Sequence, residues 1–247
     1  MKTGLVSVTF RKKSIDEIAA IAREAGLQAI EWGGDVHVPP TDPAAAAAAV
    51  KACADNGLTI SAYGSYHRCK DEEDFAPILE TAVRLGAPVI RVWAGGGFKH
   101  SSQCSEEDRA MYTKNLRKAV AMAAEKGCIV ATECHPNTLT DDVNSTLRLL
   151  EDVPGLFTYW QPFYDLTCEE NTANIRKLGK RIVNVHIFHR DENNKPTPLS
   201  AGAENWKHYL SALRDCTDTQ SVGLEFVLGD TEEQYFEDCQ VLADLMK

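Results

Sequence analysis

The chain has 247 residues, with 26 Lys and Arg against 36 Asp and Glu and a formal net charge of −10. A chain this long buries about 70–75% of its unfolded surface, and its 44% apolar and 25% charged content excludes both disorder and a small core stapled by disulfides or metal. The acidic balance argues against nucleic acid and anionic membrane as partners, because Lys and Arg grip both.

A strand-helix alternation runs the whole length. Leu5 to Phe10 is short, apolar and β-branched, and predicts strand one. Ser14 and Glu17 form a capping box for a helix whose inner face carries Ile15, Ile18, Ala19 and Ala22, and Gly26 ends it. Gln28 to Trp32 is strand two. Asp42 and Pro43 read as N-cap and first residue of an alanine-rich helix that ends at Gly57. Thr59 to Tyr63 is strand three. A helix through Phe75, Leu79 and Val83 stops at Gly86, and Val89 to Trp93 is strand four. Ser105 opens a long helix ending at Gly127, ahead of strand five, Cys128 to Glu133. Helix five carries Val143, Leu147 and Leu150, and Phe157 to Gln161 is strand six. A sixth helix with Ile175 and Leu178 precedes strand seven, Ile182 to His186. Helix seven carries Trp206, Leu210 and Leu213. Strand eight is Val222 to Phe226, and a last helix runs from Tyr235 to Met246.

Eight such units without a Pro/Ser/Gly-rich linker predict one α/β domain over residues 1–247, a (β/α)₈ barrel of eight parallel strands. The rival, a doubly wound sheet, calls for a glycine-rich phosphate turn after strand one. Arg11-Lys12-Lys13 stands there instead, and Gly95-Gly96-Gly97 after strand four is only a weak phosphate signal. The eight cysteines contain no CxxC pair, which fits reduced thiols and a cytoplasmic protein. The apolar run from Leu5 is too short for a signal peptide, and no stretch approaches about 18 apolar residues.

A barrel places its active site at the C-terminal ends of its strands. Those ends carry Glu31-Trp32, Tyr63, Trp93, Glu133, Gln161, His186 and Glu225 on strands two to eight. The last four strands therefore deliver Glu, Gln, His and Glu to one rim. Two carboxylates and a neutral imidazole suit a hard or borderline divalent ion, Mn²⁺, Mg²⁺ or Zn²⁺. Strand alternation turns Cys134 away from the face of Glu133. Trp32, Trp93 and Trp160 read mainly as barrel-to-helix packing, and His67, His100 and His208 as surface residues.

At these residues the chain resembles the xylose isomerase-like barrel superfamily, the sugar isomerases and epimerases that also include endonuclease IV. The resemblance rests on Gly-Leu-Gln-Ala-Ile-Glu-Trp (26–32), Glu133-Cys134-His135, Val185-His186 with Asp191, the segment Leu199 to Trp206, and Gly223-Leu224-Glu225. It implies a metal held by Glu, Asp, His and Glu from strands five to eight, which fall on Glu133, Gln161, His186 and Glu225. Gln161 departs from the family's Asp, and Tyr164 stands where a His is frequent. The implied activity is a sugar isomerase or epimerase. A metal polarises the ketose carbonyl, and Glu133 and Glu225 move a proton next to it through an enediolate. His135 lies near Glu133, where it either reads sugar hydroxyls or simply makes a His-Pro turn. His189 and Arg190 past strand seven, and Glu31 and His37 on strand two and its loop, are further substrate-binding candidates.

Two other readings stay open. An endonuclease IV-like phosphodiesterase needs histidines on strands three and four, which end in Tyr63 and Trp93 here. A non-catalytic carbohydrate-binding barrel would account for Gln161 as lost catalysis. The expected partner is a small-molecule sugar, and a homo-oligomer is left open.

Overall fold

The computed structural model describes residues 1–247. Eight parallel strands close into a barrel: β1 Lys2–Val6, β2 Ala29–Gly33, β3 Thr59–Gly64, β4 Val89–Val92, β5 Ile129–Glu133, β6 Phe157–Trp160, β7 Ile182–Ile187 and β8 Ser221–Leu224. Closure is made where Lys2 to Leu5 run parallel to Ser221 to Leu224. The outer helices are α1 Ile15–Glu24, α2 Pro43–Asp55, α3 Ala76–Leu85, α4 Glu106–Ala124, α5 Val143–Asp152, α6 Cys168–Leu178, α7 Ala203–Cys216 and α8 Glu232–Leu245. A short antiparallel ribbon pairs His189–Arg190 with Pro196–Thr197 beyond β7. No helix is long and apolar enough to cross a membrane.

Local chemistry sets the helix ends. Ser14 and Glu17 form the reciprocal capping box at α1. The Asp42 carboxylate accepts from the amides of Ala44 and Ala45, ahead of Pro43 in the first turn of α2. In that alanine-rich helix Ala46, Ala49 and Ala52 are buried, so the small side chains let it pack closely against its neighbours. Gly86 ends α3 in the left-handed conformation.

The first strand departs from expectation. It ends at Val6, and Ser7–Phe10 form a 3₁₀ turn although Val8, Thr9 and Phe10 are all strand-favouring residues. Side-chain bonding explains the turn. The Ser7 hydroxyl accepts from the amide of Gly33, and the Thr9 hydroxyl accepts from the amide of Phe226. Closing the barrel mouth here overrides strand propensity. Within β1, Gly4 has no room for a side chain, since an added Cβ would lie 2.9 Å from the backbone oxygen of Ala29. Gly4→Val is therefore expected to cost about 1–3 kcal/mol of stability. A lower urea midpoint at unchanged m value would show it, and an unchanged midpoint would contradict it.

Most of the apolar core lies between barrel and helices. Trp160 turns outward there and packs edge-on against Trp206 and Tyr209 of α7, with ring centroids 5.9 and 5.1 Å away. A separate small cluster of Ala62, Val89, Ala131, Tyr159 and Val183 packs apart from it. Arg91 and Glu133 stand two residues beyond Val89 and Ala131, so alternation puts them on the same face one layer nearer the mouth.

Candidate active site and metal centre

Glu133 ends β5, Gln161 follows β6, His186 lies on β7 and Glu225 follows β8. All four are buried, and all but His186 line a cavity of about 320 Å³ at the C-terminal ends of the strands. That is the lower end of the range for small-molecule sites. His186 is the hub. Its Nδ1 lies 3.4 Å from Glu133 Oε1 and 3.2 Å from Glu225 Oε2, and its Nε2 lies 3.4 Å from Glu31 Oε2. Burial opposes a charge on this imidazole, but Glu225, Glu31 and Glu133 overcome it and raise its pKa well above the ordinary value.

Arg91 is the residue that sequence reasoning missed. It is only 2% exposed and sits inside the carboxylate cluster. Its Nε donates to Glu31 Oε1 at 3.0 Å, and its Nη1 donates to Glu133 Oε2. The signal was an arginine in the apolar strand Val-Ile-Arg-Val, a placement that burial tolerates only when the charge is paired. Trp93 was expected to pack against helices. It is instead half-buried in the cavity wall and donates its Nε1–H to Glu133 Oε2 at 2.6 Å. The Arg68 guanidinium lies 4.3 Å from its ring centroid, and the His135 ring stacks on it at 4.6 Å. Arg91 and Trp93 thus hold one oxygen of Glu133 and leave Oε1 toward His186. Burial opposes ionisation of both Glu133 and Glu31. The Arg91 and His186 charges nevertheless hold both below the usual carboxylate range.

The other candidates divide. Glu31 joins the hub through Arg91 and His186. His135 and Arg190 line the cavity. The His135 Nδ1 is 2.7 Å from the carbonyl oxygen of Pro136, so that nitrogen donates and Nε2 is left over. His37 is buried beside the ring of Trp32, with Nε2 3.1 Å from the carbonyl oxygen of Lys13, and does not line the cavity. His189 faces the ribbon, its Nδ1 2.7 Å from Thr197 Oγ1, and lines a neighbouring pocket. His67, expected at the surface, is buried 3.4 Å from Glu73 and against Phe75. Tyr164 stands at the mouth with its ring against Phe188.

The residues present fit a divalent cation. Ligand atoms of Glu133, His186 and Glu225 all lie within 4.8 Å of one another. His186 Nδ1 makes no properly directed hydrogen bond despite its two carboxylate neighbours, as expected of groups aimed at a common point rather than at each other. Glu31 on the opposite ring nitrogen is the partner that fixes a metal-binding imidazole. Gln161 Oε1 is buried without a hydrogen-bond partner and belongs to the same cavity wall. Three carboxylates face one guanidinium, so a divalent ion beside a neutral imidazole brings the buried cluster to neutrality.

The chain is similar to proteins of known class. Residues 19–245 match the family model described as xylose isomerase-like TIM barrel. A curated 3-dehydroshikimate dehydratase from Bacillus anthracis is 29% identical over 164 residues, 62% of this chain and 58% of that protein. The match therefore spans less than two thirds of that relative's length. The crystal structure of a probable 3-DHS dehydratase of petrobactin synthesis from Bacillus anthracis superposes with a TM-score of 0.82 at 23% identity, covering 98% of this chain and 99% of that one. A D-psicose 3-epimerase structure determined with D-fructose gives 0.76 at 18% identity, covering 99% and 98%. At such identities the two structures speak for the shared fold. With the family model matching nearly the whole barrel, the chain belongs to the xylose isomerase-like TIM-barrel family.

Proposed function

We propose that the protein is a metal-dependent enzyme that moves a proton at the carbon next to the carbonyl of a small polyhydroxylated substrate, in the manner of a sugar isomerase or epimerase. All the machinery belongs to one barrel domain over residues 1–247. The observation that carries this reading is the His186 hub, with Nδ1 open between Glu133 Oε1 and Glu225 Oε2 while Glu31 takes Nε2. Glu133, Gln161, His186 and Glu225 would hold the ion, which when bound supplies Lewis-acid polarisation of the carbonyl oxygen. Glu133 and Glu225 form the acid/base pair. Glu225 is the better first base, because Glu133 is tied by Arg91 and Trp93 and gives up basicity to them. Glu133 rests ionised, so it first takes a proton from solvent or through the substrate's hydroxyls, then delivers it to the neighbouring carbon or the opposite face, while Glu225 gives the proton it took back to solvent. His135 and Arg190 contact the substrate from the cavity wall.

A dehydration is the second reading, favoured by the Bacillus anthracis relative. It shares the proton abstraction and then needs a proton donor at a departing hydroxyl, a role His135 on the cavity wall fills only when Nε2 also carries a proton. A panel of ketoses and cyclic hydroxyketones in D₂O with the Mn²⁺-loaded protein separates the two by mass spectrometry. Deuterium in an otherwise intact or rearranged skeleton supports the isomerase or epimerase. Loss of water supports the dehydratase. Neither change with any substrate contradicts both.

The neutral Gln161 weakens the charge attraction for the ion by one unit relative to a carboxylate. Gln161→Asp is expected to tighten Mn²⁺ about tenfold or more, where each tenfold equals about 1.4 kcal/mol. Calorimetric titration of both proteins checks this, and equal affinities would show that Gln161 is not a ligand.

A further inference from the structure

We propose that the substrate carries a carboxylate and that Arg190 at the cavity mouth binds it; the inference rests on the reading of the cavity as a substrate site. Two arginines other than the buried Arg91 line this cavity, Arg11 and Arg190. Arg11 is already satisfied, paired with Asp35 and 2.9 Å from the Tyr66 hydroxyl. Arg190 is in no ion pair. Its side chain donates from Nη1 to the carbonyl oxygen of Asn194, at 3.2 Å, and its other polar neighbour is the neutral Tyr164 hydroxyl, so no carboxylate balances its charge.

The acid nearest in sequence is turned away. The Asp191 carboxylate accepts from the amides of Asn193 and Lys195, at 2.9 and 2.8 Å, inside the turn of the ribbon. That ribbon also fixes the backbone of Arg190, whose strand pairs with Pro196–Thr197.

The guanidinium is nonetheless held in place. It lies 5.4 Å from the ring centroid of Phe226 and 5.7 Å from that of Phe188, and the two rings meet edge-to-face at 5.9 Å. Phe226 is exposed and has a left-handed backbone, with φ at 57°, which is rare and costly for a bulky residue. It follows Glu225 directly, and its amide donates to the Thr9 hydroxyl at 3.2 Å. An exposed aromatic kept in a strained conformation beside an unpaired cation, at the mouth of a cavity with an acidic floor, is a built anion subsite in a chain of net charge −10.

The anion is a carboxylate rather than a phosphate. One planar guanidinium matches a carboxylate through two parallel N–H bonds. A phosphate dianion calls for more donors, typically a nest of backbone amides. The glycine loop at 95–97 does not offer one, because the Arg68 guanidinium packs against Gly96 and bonds the carbonyl oxygen of Gly95 at 3.1 Å, while the Tyr112 ring covers Gly95.

The test compares D-glucuronate, its neutral amide and D-glucose 6-phosphate as ligands of the Mn²⁺-loaded protein by calorimetry. Glucuronate is expected to bind about tenfold or more tightly than the amide. In Arg190→Gln the preference should fall to about twofold or less, with the loss falling mainly on glucuronate rather than on the amide, and Arg190→Lys should keep part of it. Three results overturn the inference: no preference for glucuronate in the wild type, a preference that survives in Arg190→Gln and so lies on the metal, or tighter binding of the phosphate. Failure of Mn²⁺ to bind overturns the reading of the metal site instead, and the carboxylate preference is then judged by the same criteria on the metal-free protein.

Discussion

Replacing Glu225 or Glu133 by glutamine is expected to cut turnover by about a hundred- to ten-thousand-fold, the usual contribution of a placed acid or base. Glutamine keeps the shape and one oxygen donor of the carboxylate, and the chain already places Gln161 at the equivalent position after β6. The variants should bind Mn²⁺ about tenfold or more weakly, as argued for Gln161, so turnover is compared at saturating Mn²⁺, which separates lost proton transfer from a lost site. Glu225→Gln should abolish deuterium uptake from solvent, because Glu225 is the proposed first base. Glu133→Gln should leave more of that exchange while blocking product formation, since Glu133 returns the proton. Mass spectrometry of recovered substrate and metal analysis of the same samples decide the matter. Full turnover by a metal-loaded Glu225→Gln protein would remove Glu225 from the acid/base pair.

Removing Arg91 is expected to have the largest effect on stability. Its guanidinium is buried between Glu31 and Glu133, and truncation leaves both carboxylates, with Glu225, to share the single His186 imidazole. Breaking a buried pair from one side costs about 3–5 kcal/mol, because the charge left behind is undercompensated away from water. Arg91→Met should fall in that range by urea unfolding of the metal-free protein. Arg91→Lys should recover only part of the loss, since an ammonium cannot span two carboxylates with a fixed fork. Adding Glu31→Gln to Arg91→Met should restore some stability by removing one uncompensated charge. A Met variant as stable as the parent would mean that the cluster does not depend on Arg91.

The barrel was legible because its signals are local. Ser14 with Glu17, Asp42 with Pro43, and the glycines after the helices each act within a few residues, and the alternation of eight units leaves few architectures. The rim cluster was legible in the same way, since a strand end is a sequence position and the fold brings strand ends together. What the sequence hid depends on pairings between distant residues. Arg91 meets Glu31 and Glu133 across three strands, 60 and 42 residues away in the chain. Trp93 reads as a packing residue until Glu133 is known to face it. His37 sits on the loop after β2 and His189 in the ribbon beyond β7, and side-chain packing turns one toward Lys13 and the other toward Thr197. Ser7 to Phe10 read as strand because their hydroxyl partners, Gly33 and Phe226, are set only by closure of the barrel.

The central claim is that the cluster around His186 is a divalent-metal centre. Crystals grown with Mn²⁺ and measured at wavelengths on either side of the manganese absorption edge test it most directly. One strong anomalous peak is expected about 2.0–2.6 Å from Glu133 Oε1, Gln161 Oε1, His186 Nδ1 and Glu225 Oε2. Arg91 should remain on the other oxygen of Glu133 and Glu31 on His186 Nε2. A protein that crystallises in saturating Mn²⁺ with no anomalous peak among these four side chains, or with the only peak elsewhere, would contradict it.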